Sequence, residues 1–253
     1  MKLRRKTVIA GNLVKVVEYT PTFPQDSART RSIKQQSTRA AQKALNYRTA
    51  QGRLESKLAA NFSSEDFFVT FTFREADAPH NRKEANRCKS RYVRRLRTAY
   101  ARRGFALRWI FALENKSSEG RYHFHAVINS TGSRVDREEI VSLWDYGDVH
   151  LEGLFDRNHD SGDDFNSWIQ VAVYMTKERP EYGKDVTPNG AQIYSCSRNL
   201  VPPTVLPTVW VDEAGPLVIP EGAIAIESEM KTNEFGRFSY VKYMTAPLRK
   251  NAE

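Results

Sequence analysis

His123 and His125 flank Phe124 within Tyr122 to Asn129 (YHFHAVIN), a run whose aromatic and β-branched content predicts a strand. Side chains alternate faces along a strand, so both imidazoles leave one face with backbones roughly 6.6 Å apart. That spacing lets two ring nitrogens converge on one ion, while Phe124, Ala126 and Ile128 enter the other face. Glu114 closes the preceding strand, Ala106 to Glu114 (ALRWIFALE), and the polar turn Lys116 to Gly120 predicts antiparallel pairing. The carboxylate then comes near the histidines. Two imidazoles and a carboxylate with open positions suit Mg²⁺ or Mn²⁺ that must still bind a phosphate oxygen. Zinc fits the ligand types but less well the expected chemistry. His-x-His alone is weak in a chain with five histidines, where a solvated or core-satisfied pair is the bland alternative.

The second chemical feature is Tyr174-Met175-Thr176-Lys177, at the end of a helix predicted over Phe165 to Lys177 with Phe165, Trp168, Ile169 and Ala172 on one side. On a helix Lys177 follows Tyr174 by about 4.5 Å along the axis. A free phenol titrates near pH ~10, so about one molecule in a thousand is phenolate at neutrality. A nearby ammonium and a metal would favour that nucleophile. Tyr-x-x-Lys alone is also what a structural tyrosine beside a solvated lysine looks like.

The elements that must position these groups follow from periodicity. Thr7 to Tyr19 reads as a short hairpin or edge strand around Gly11-Asn12, ended by Pro21 and Pro24. Ser27 to Ala60 is helical and basic. Phe67 to Phe73 (FFVTFTF) is a buried strand, its Phe71 and Phe73 read as core rather than base-stacking residues. Arg82 to Arg103 is an arginine-rich helix stopped by Gly104, with the seam Ala85, Cys88, Tyr92, Leu96 and Ala99. Arg134 to Trp144 is a helix with Val135, Ile140 and Leu143 inward, and Val149 to Phe155 a fourth strand. Asp156 to Asp164 forms an acidic loop whose spacing departs from a calcium loop. Past Pro180 the chain is loop-rich, with strands near Val205–Val211 and Arg237–Tyr243. The order β-α-β-β-α-β-α predicts an α+β fold, an antiparallel sheet with helices mainly on one face. Residues 1–60 are expected as a basic N-terminal extension, 61–203 as the main domain, and 204–253 as a C-terminal extension packing on it.

The net charge of +9 favours a polyanionic partner, nucleic acid before membrane. Cys88 and Cys196 lie in no metal-like spacing and read as free thiols of a reducing interior. No apolar run nears the ~20 residues of a membrane span, Met1 to Lys6 lacks a signal-peptide apolar segment, and no Walker-type loop is present. Cytoplasmic placement and no ATPase of its own are expected.

Taken in order, FFVTFTF, then Glu114 with GRYHFHAVI, then VAVYMTKE resemble the three motifs of HUH endonucleases, named for histidine-hydrophobic-histidine. They are similar to those of rolling-circle replication initiators of phages, plasmids and integrative elements. Asn61-Phe62, Trp144 with Gly147, and Ser195 to Leu200 followed by proline extend the likeness over about residues 45 to 203. The interval from Glu114 to His123 is one residue longer than the family's common form. The resemblance implies an RRM/ferredoxin-like sheet of about five strands. It also implies His123, His125 and Glu114 as metal ligands for Mg²⁺ or Mn²⁺, Tyr174 as nucleophile and Lys177 as its partner. The expected substrate is single-stranded DNA, an origin hairpin or melted origin, in a bacterial host cytoplasm; host helicase and polymerase are the expected partners. Arg121, Arg94, Arg95 and Arg198 are the DNA-binding candidates. A relaxase or single-strand transposase shares this chemistry, and a non-catalytic RRM-like nucleic-acid binder shares the topology and charge. A two-histidine phosphoesterase needs a second histidine motif that His80, His150 and His159 do not supply.

Overall fold

The computed structural model describes residues 2–21, 39–115, 122–154, 168–176, 192–212, 216–233 and 236–245. The fold is α+β, built on two antiparallel sheets. The chain divides into two compact units, residues 62–200 and residues 1–61 with 201–253.

In the unit of residues 62–200, β3 (Phe67–Phe71), β4 (Trp109–Asn115), β5 (Tyr122–Ile128), β6 (Val149–Gly153) and β7 (Tyr194–Cys196) form a five-stranded sheet. Its order is β6-β3-β5-β4-β7. Every pair is antiparallel. One face carries Phe67, Val69 and Phe71 of β3, Phe111 of β4, and Phe124, Ala126 and Ile128 of β5. Helix α2 (Arg82–Arg102) buries Ala85, Tyr92, Val93, Leu96 and Tyr100 in the same cluster, with Ile140 of α3 (Val135–Ser142) and Trp144. Phe71 and Phe111 stack 5.5 Å apart, and Phe71 meets Tyr92 edge-on at 4.9 Å. Both Phe71 and Phe73 belong to this core.

The helices differ in detail from their expected faces. The seam of α2 turns toward Lys89, Val93 and Tyr100, leaving Cys88 and Ala99 half-buried. Tyr100 pulls it round: its hydroxyl donates to the Asn129 carbonyl at 2.8 Å, satisfying a group that would otherwise be costly to bury. On α3 Val135 is exposed rather than inward, and Asp136 is buried in its place. The Asp136 carboxylate accepts from the Thr131 amide and hydroxyl (2.6 and 2.8 Å) and from Arg103 (2.8 Å). Gly147 permits the close approach of its loop to the end of β3, because a Cβ there would sit 2.4 Å from the Thr72 carbonyl oxygen. That carbonyl accepts from the Trp144 indole at 2.9 Å.

In the second unit β1 (Lys2–Ala10) and β2 (Leu13–Tyr19) form a hairpin longer than expected. Gly11 turns it with φ +57, and a Cβ there would meet the Ala59 carbonyl oxygen at 2.1 Å. The hairpin is central rather than at an edge, for β2 also pairs β11 (Gly236–Met244) along its whole length. The order is β10-β11-β2-β1-β8, with β10 Ile224–Asn233 and β8 Thr204–Val205; β9 (Val209–Asp212) also pairs β1. Helix α1 (Arg39–Asn61) docks through Glu55, whose carboxylate lies 2.7 Å from Lys15 and 3.2 Å from Lys242. Both terminal segments therefore contribute strands to one sheet. The acidic loop Asp156 to Asp164, most of the turn before β5, Arg121 and Lys177 lie outside the described residues. Among the described residues no helix is long and apolar enough to cross a membrane.

The Asp136 network gives a stability prediction. Burial pushes the Asp136 carboxyl up, but the hydrogen bonds from Thr131 and Arg103 outweigh it and hold the group below the usual range. A depressed pKa stabilises the fold above the ordinary carboxylate range and is lost as pH falls below it. Asp136→Ala is expected to cost about 3 kcal/mol in urea unfolding at neutral pH, the low end for a broken buried pair because Arg103 is partly exposed. The deficit should shrink below pH ~4; a cost under about 1 kcal/mol would show that the network does not hold α3.

Candidate functional site

The face of the five-stranded sheet opposite α2 carries the polar groups. The register sets Glu114 directly across from His123, and Ala112 across from His125. Because the pleat alternates, Ala112 and Glu114 of β4 share a face with His123 and His125 of β5. Glu114 Oε2 lies 3.0 Å from His123 Nε2 and 2.9 Å from His125 Nε2. The imidazoles are buried, and the carboxylate is about one-sixth exposed. One donor atom from each of the three lies within 4.8 Å of the others, the one such group of three His, Cys, Asp or Glu among the described residues.

This set fits a small divalent ion. Neighbouring ligands of an octahedral ion with bonds of about 2.1 Å stand about 3 Å apart, the separation found between Glu114 Oε2 and each imidazole. Three protein donors leave the remaining positions for water or substrate. The extra residue between Glu114 and His123 does not disturb the register, since Asn115 and Tyr122 still pair at the end of the ladder.

Two groups around the histidines escaped the sequence reading. Thr70 of β3 pairs with His125 in register, and its hydroxyl lies 3.2 Å from His125 Nδ1. A hydroxyl can donate to or accept from that nitrogen, so it suits either tautomer and fixes the ring. Phe68 stacks on the His125 ring with centroids 5.9 Å apart. Parity within FFVTFTF was the available signal: if Phe67, Val69 and Phe71 face the core, Phe68 and Thr70 face the histidines.

Helix α4 (Trp168–Met175) buries Trp168, Val171, Ala172 and Met175 and leaves Tyr174 half-buried. Ile169 is only partly buried and Val171 takes its expected place. The Tyr174 ring stands edge-on to His125 at 4.9 Å and to Phe68 at 5.6 Å between centroids. Glu114, His123, His125 and Tyr174 thus come together from three separated segments. Lys177 and Arg121 lie outside the described residues. Arg94 and Arg95 project from α2, on the other face of the sheet, and Arg95 is ion-paired with Asp145. Arg198 lines a cavity with Arg97, Phe105 and Trp109 and is also apart from the histidines.

Residues 66–179 match a family model described as a replication-associated protein of the ORF2 type. The match spans β3 through α4 and includes Glu114, His123, His125, Tyr174 and Lys177, though less than half of the chain. No curated protein and no solved structure matches the chain.

Electrostatics of the trio yields a pH test. Burial pushes Glu114 up, but hydrogen bonds to His123 and His125 prevail and hold its carboxyl far below the usual range. The ionised carboxylate therefore stabilises the fold above pH ~4.5, and this contribution is lost as pH falls. In metal-free protein Glu114→Gln is expected to lower stability most near neutrality, the gap to wild type closing toward pH ~3. Parallel stability–pH curves for the two proteins would show that the carboxylate is not held this way.

Proposed function

We propose that the protein is a replication initiator that nicks single-stranded DNA by attack of Tyr174, as in rolling-circle replication. The observation that carries this reading is the convergence of Glu114, His123 and His125 beside the Tyr174 ring, 4.9 Å from His125. The match of this segment to a replication-associated family supports it.

A Mg²⁺ or Mn²⁺ ion held by Glu114, His123 and His125 would polarise the scissile phosphate and offset charge developing on its oxygens. Glu114 brings a negative charge to the ion, and Thr70 and Phe68 keep the His125 ring in its ligating orientation. Tyr174 loses its phenolic proton, and its oxygen forms the new bond to phosphorus. The bond from phosphorus to the 3′ oxygen breaks, and that oxygen takes a proton. The products are a 5′-phosphotyrosine ester and a free 3′-OH, and reversal of the same steps rejoins the strand. Lys177, three residues on, is assigned to charge balance at the phenolate and phosphate. Arg121 is assigned to the adjoining phosphates, Arg94, Arg95 and Arg198 to more distant ones. The 3′-OH suits extension by a host polymerase, with strand separation left to a host helicase.

A relaxase or single-strand transposase would perform the same transfer; the replication-associated match favours initiation. A non-catalytic RRM-like binder would not need the trio and the tyrosine together.

Two experiments test this reading. Wild-type protein incubated with a single-stranded oligonucleotide pool and Mn²⁺ is expected to yield a nucleotide-modified Tyr174 peptide by mass spectrometry. Tyr174→Phe should bind the same DNA without forming the adduct. Modification of Tyr194, which pairs with Ala112 at the edge of the same sheet, would move the nucleophile there. His123→Ala with His125→Ala should abolish cleavage in a folded protein. Thr70→Val should weaken Mn²⁺ binding by about tenfold, the low end for loss of a group that orients a ligand. Retained Mn²⁺-dependent cutting by the double variant would refute the ligand set.

A further inference from the structure

The six-stranded sheet of residues 1–61 and 201–253 has a chemistry of its own. Reading across it in register, Trp210 of β9 pairs with Arg4 of β1, Arg4 with Tyr19 of β2, and Tyr19 with Phe238 of β11. Phe238 in turn pairs with Lys231 of β10. Residues directly opposite each other in antiparallel strands share a face, so these five side chains form one row across the sheet. The Arg4 guanidinium already lies over the Trp210 ring, 5.0 Å from its centroid. Two residues further along β1, Lys6 opens the next row, with Val17 and Tyr240.

The row is exposed where a folded protein ordinarily hides such groups. Trp210 is 52% and Phe238 38% exposed, and Arg4, Lys6 and Lys231 lie at exposed positions. Aromatic rings alternating with cations across a sheet match a nucleic acid strand whose bases are unpaired. Each base offers a π-face to a ring and each phosphate a charge to a cation. A duplex hides its base faces and cannot use the rings, and an apolar protein partner would leave the cations unmatched. Carboxylates border the row without interrupting it: Glu229 pairs with Lys231, Asp212 stands opposite Lys2, and Glu227 pairs with Lys242.

We propose that this face, centred on Trp210, Arg4, Tyr19 and Phe238, is a second binding surface for single-stranded DNA, separate from the Glu114-His123-His125 site. The choice of DNA as the strand rests on the proposed function; the stacking chemistry does not. The surface takes bases without sequence readout, through ring stacking, and so holds flanking DNA rather than selecting the nicking position.

The test uses the full chain in EDTA, with fluorescein-labelled oligothymidylate as the probe and anisotropy as the readout. Trp210→Ala with Phe238→Ala is expected to weaken binding by at least about tenfold, since each stacked base contributes ~1–3 kcal/mol. Arg4→Gln should weaken it less and flatten the salt dependence. Met230→Ala serves as the control, because Met230 is equally exposed but pairs with Ser239 on the opposite face. Thermal melting should be unchanged in all, and ultraviolet cross-linking of wild type should label the peptide containing Trp210 or Phe238. Unchanged affinity in the folded double variant overturns the proposal, as does a loss of self-association without a loss of DNA binding. Failure of wild type to form a tyrosine adduct, with the affinity loss intact, overturns the nuclease reading and leaves this surface standing. An intact adduct with unchanged affinity does the reverse.

Discussion

The antiparallel register of β4 and β5 is the constraint on which the site depends. Glu114 reaches both imidazoles only because it stands opposite His123, two residues from Ala112 opposite His125. A slip of one residue would send the carboxylate to the far face and Leu113 into its place. Nothing polar could hold that register by itself, since burying a carboxylate and two imidazoles costs more than their mutual hydrogen bonds return. The holding force is on the other face. Phe111, Phe124, Ala126 and Ile128 lock against Phe71, Tyr92 and Trp144, and each aromatic there removes roughly 150–250 Å² from water. The apolar side of the sheet thereby places the polar side.

That division explains the supporting roles of β3. Its odd residues extend the core, and its even residues, Phe68 and Thr70, contact His125. A histidine fixed on one side by a ring and at Nδ1 by a hydroxyl loses little further freedom when its other nitrogen takes a ligand. Tyr174 needs a different support, because it must approach the same groups without being fixed among them. A short helix that buries four apolar side chains and leaves the phenol half-buried meets both requirements.

How much of this could be read in the residues depends on whether a feature is local. The His-Phe-His alternation, its pairing with the Glu114 strand and the α+β order follow from strand periodicity, which is a short-range property. The seam of α2 was misplaced because Cys88 and Ala99 are apolar and Tyr100 is not conspicuously so. Only the Asn129 carbonyl across the sheet decides which side goes in. Asp136 was missed for the same reason: a buried carboxylate is stable only with Thr131 and Arg103 around it, and Arg103 is more than thirty residues away in sequence. The pairing of β2 with β11 joins residues 13–19 to 238–244, and no local pattern announces a partner at that range. The exposed row across that sheet was unreadable in consequence, since it exists only once Arg4, Tyr19, Phe238 and Trp210 are in register.

A sheet assembled from both ends of a chain raises a question of closure, which Asn61 addresses. Its side-chain oxygen accepts from the Val201 amide at 2.7 Å, and its side-chain nitrogen donates to the Val201 carbonyl at 2.9 Å. One amide side chain thus copies a two-bond strand pairing at the point where the chain leaves this unit and where it returns. The intervening residues 62–200 carry their own core and their own sheet. Loop-closure entropy rises only with the logarithm of loop length, and a loop already folded has little left to lose. Pairing β2 with β11 across more than two hundred residues is then no harder than closing a short connection. The physical requirement is that the two strands of chain emerge side by side, and Asn61 with Val201 makes them do so.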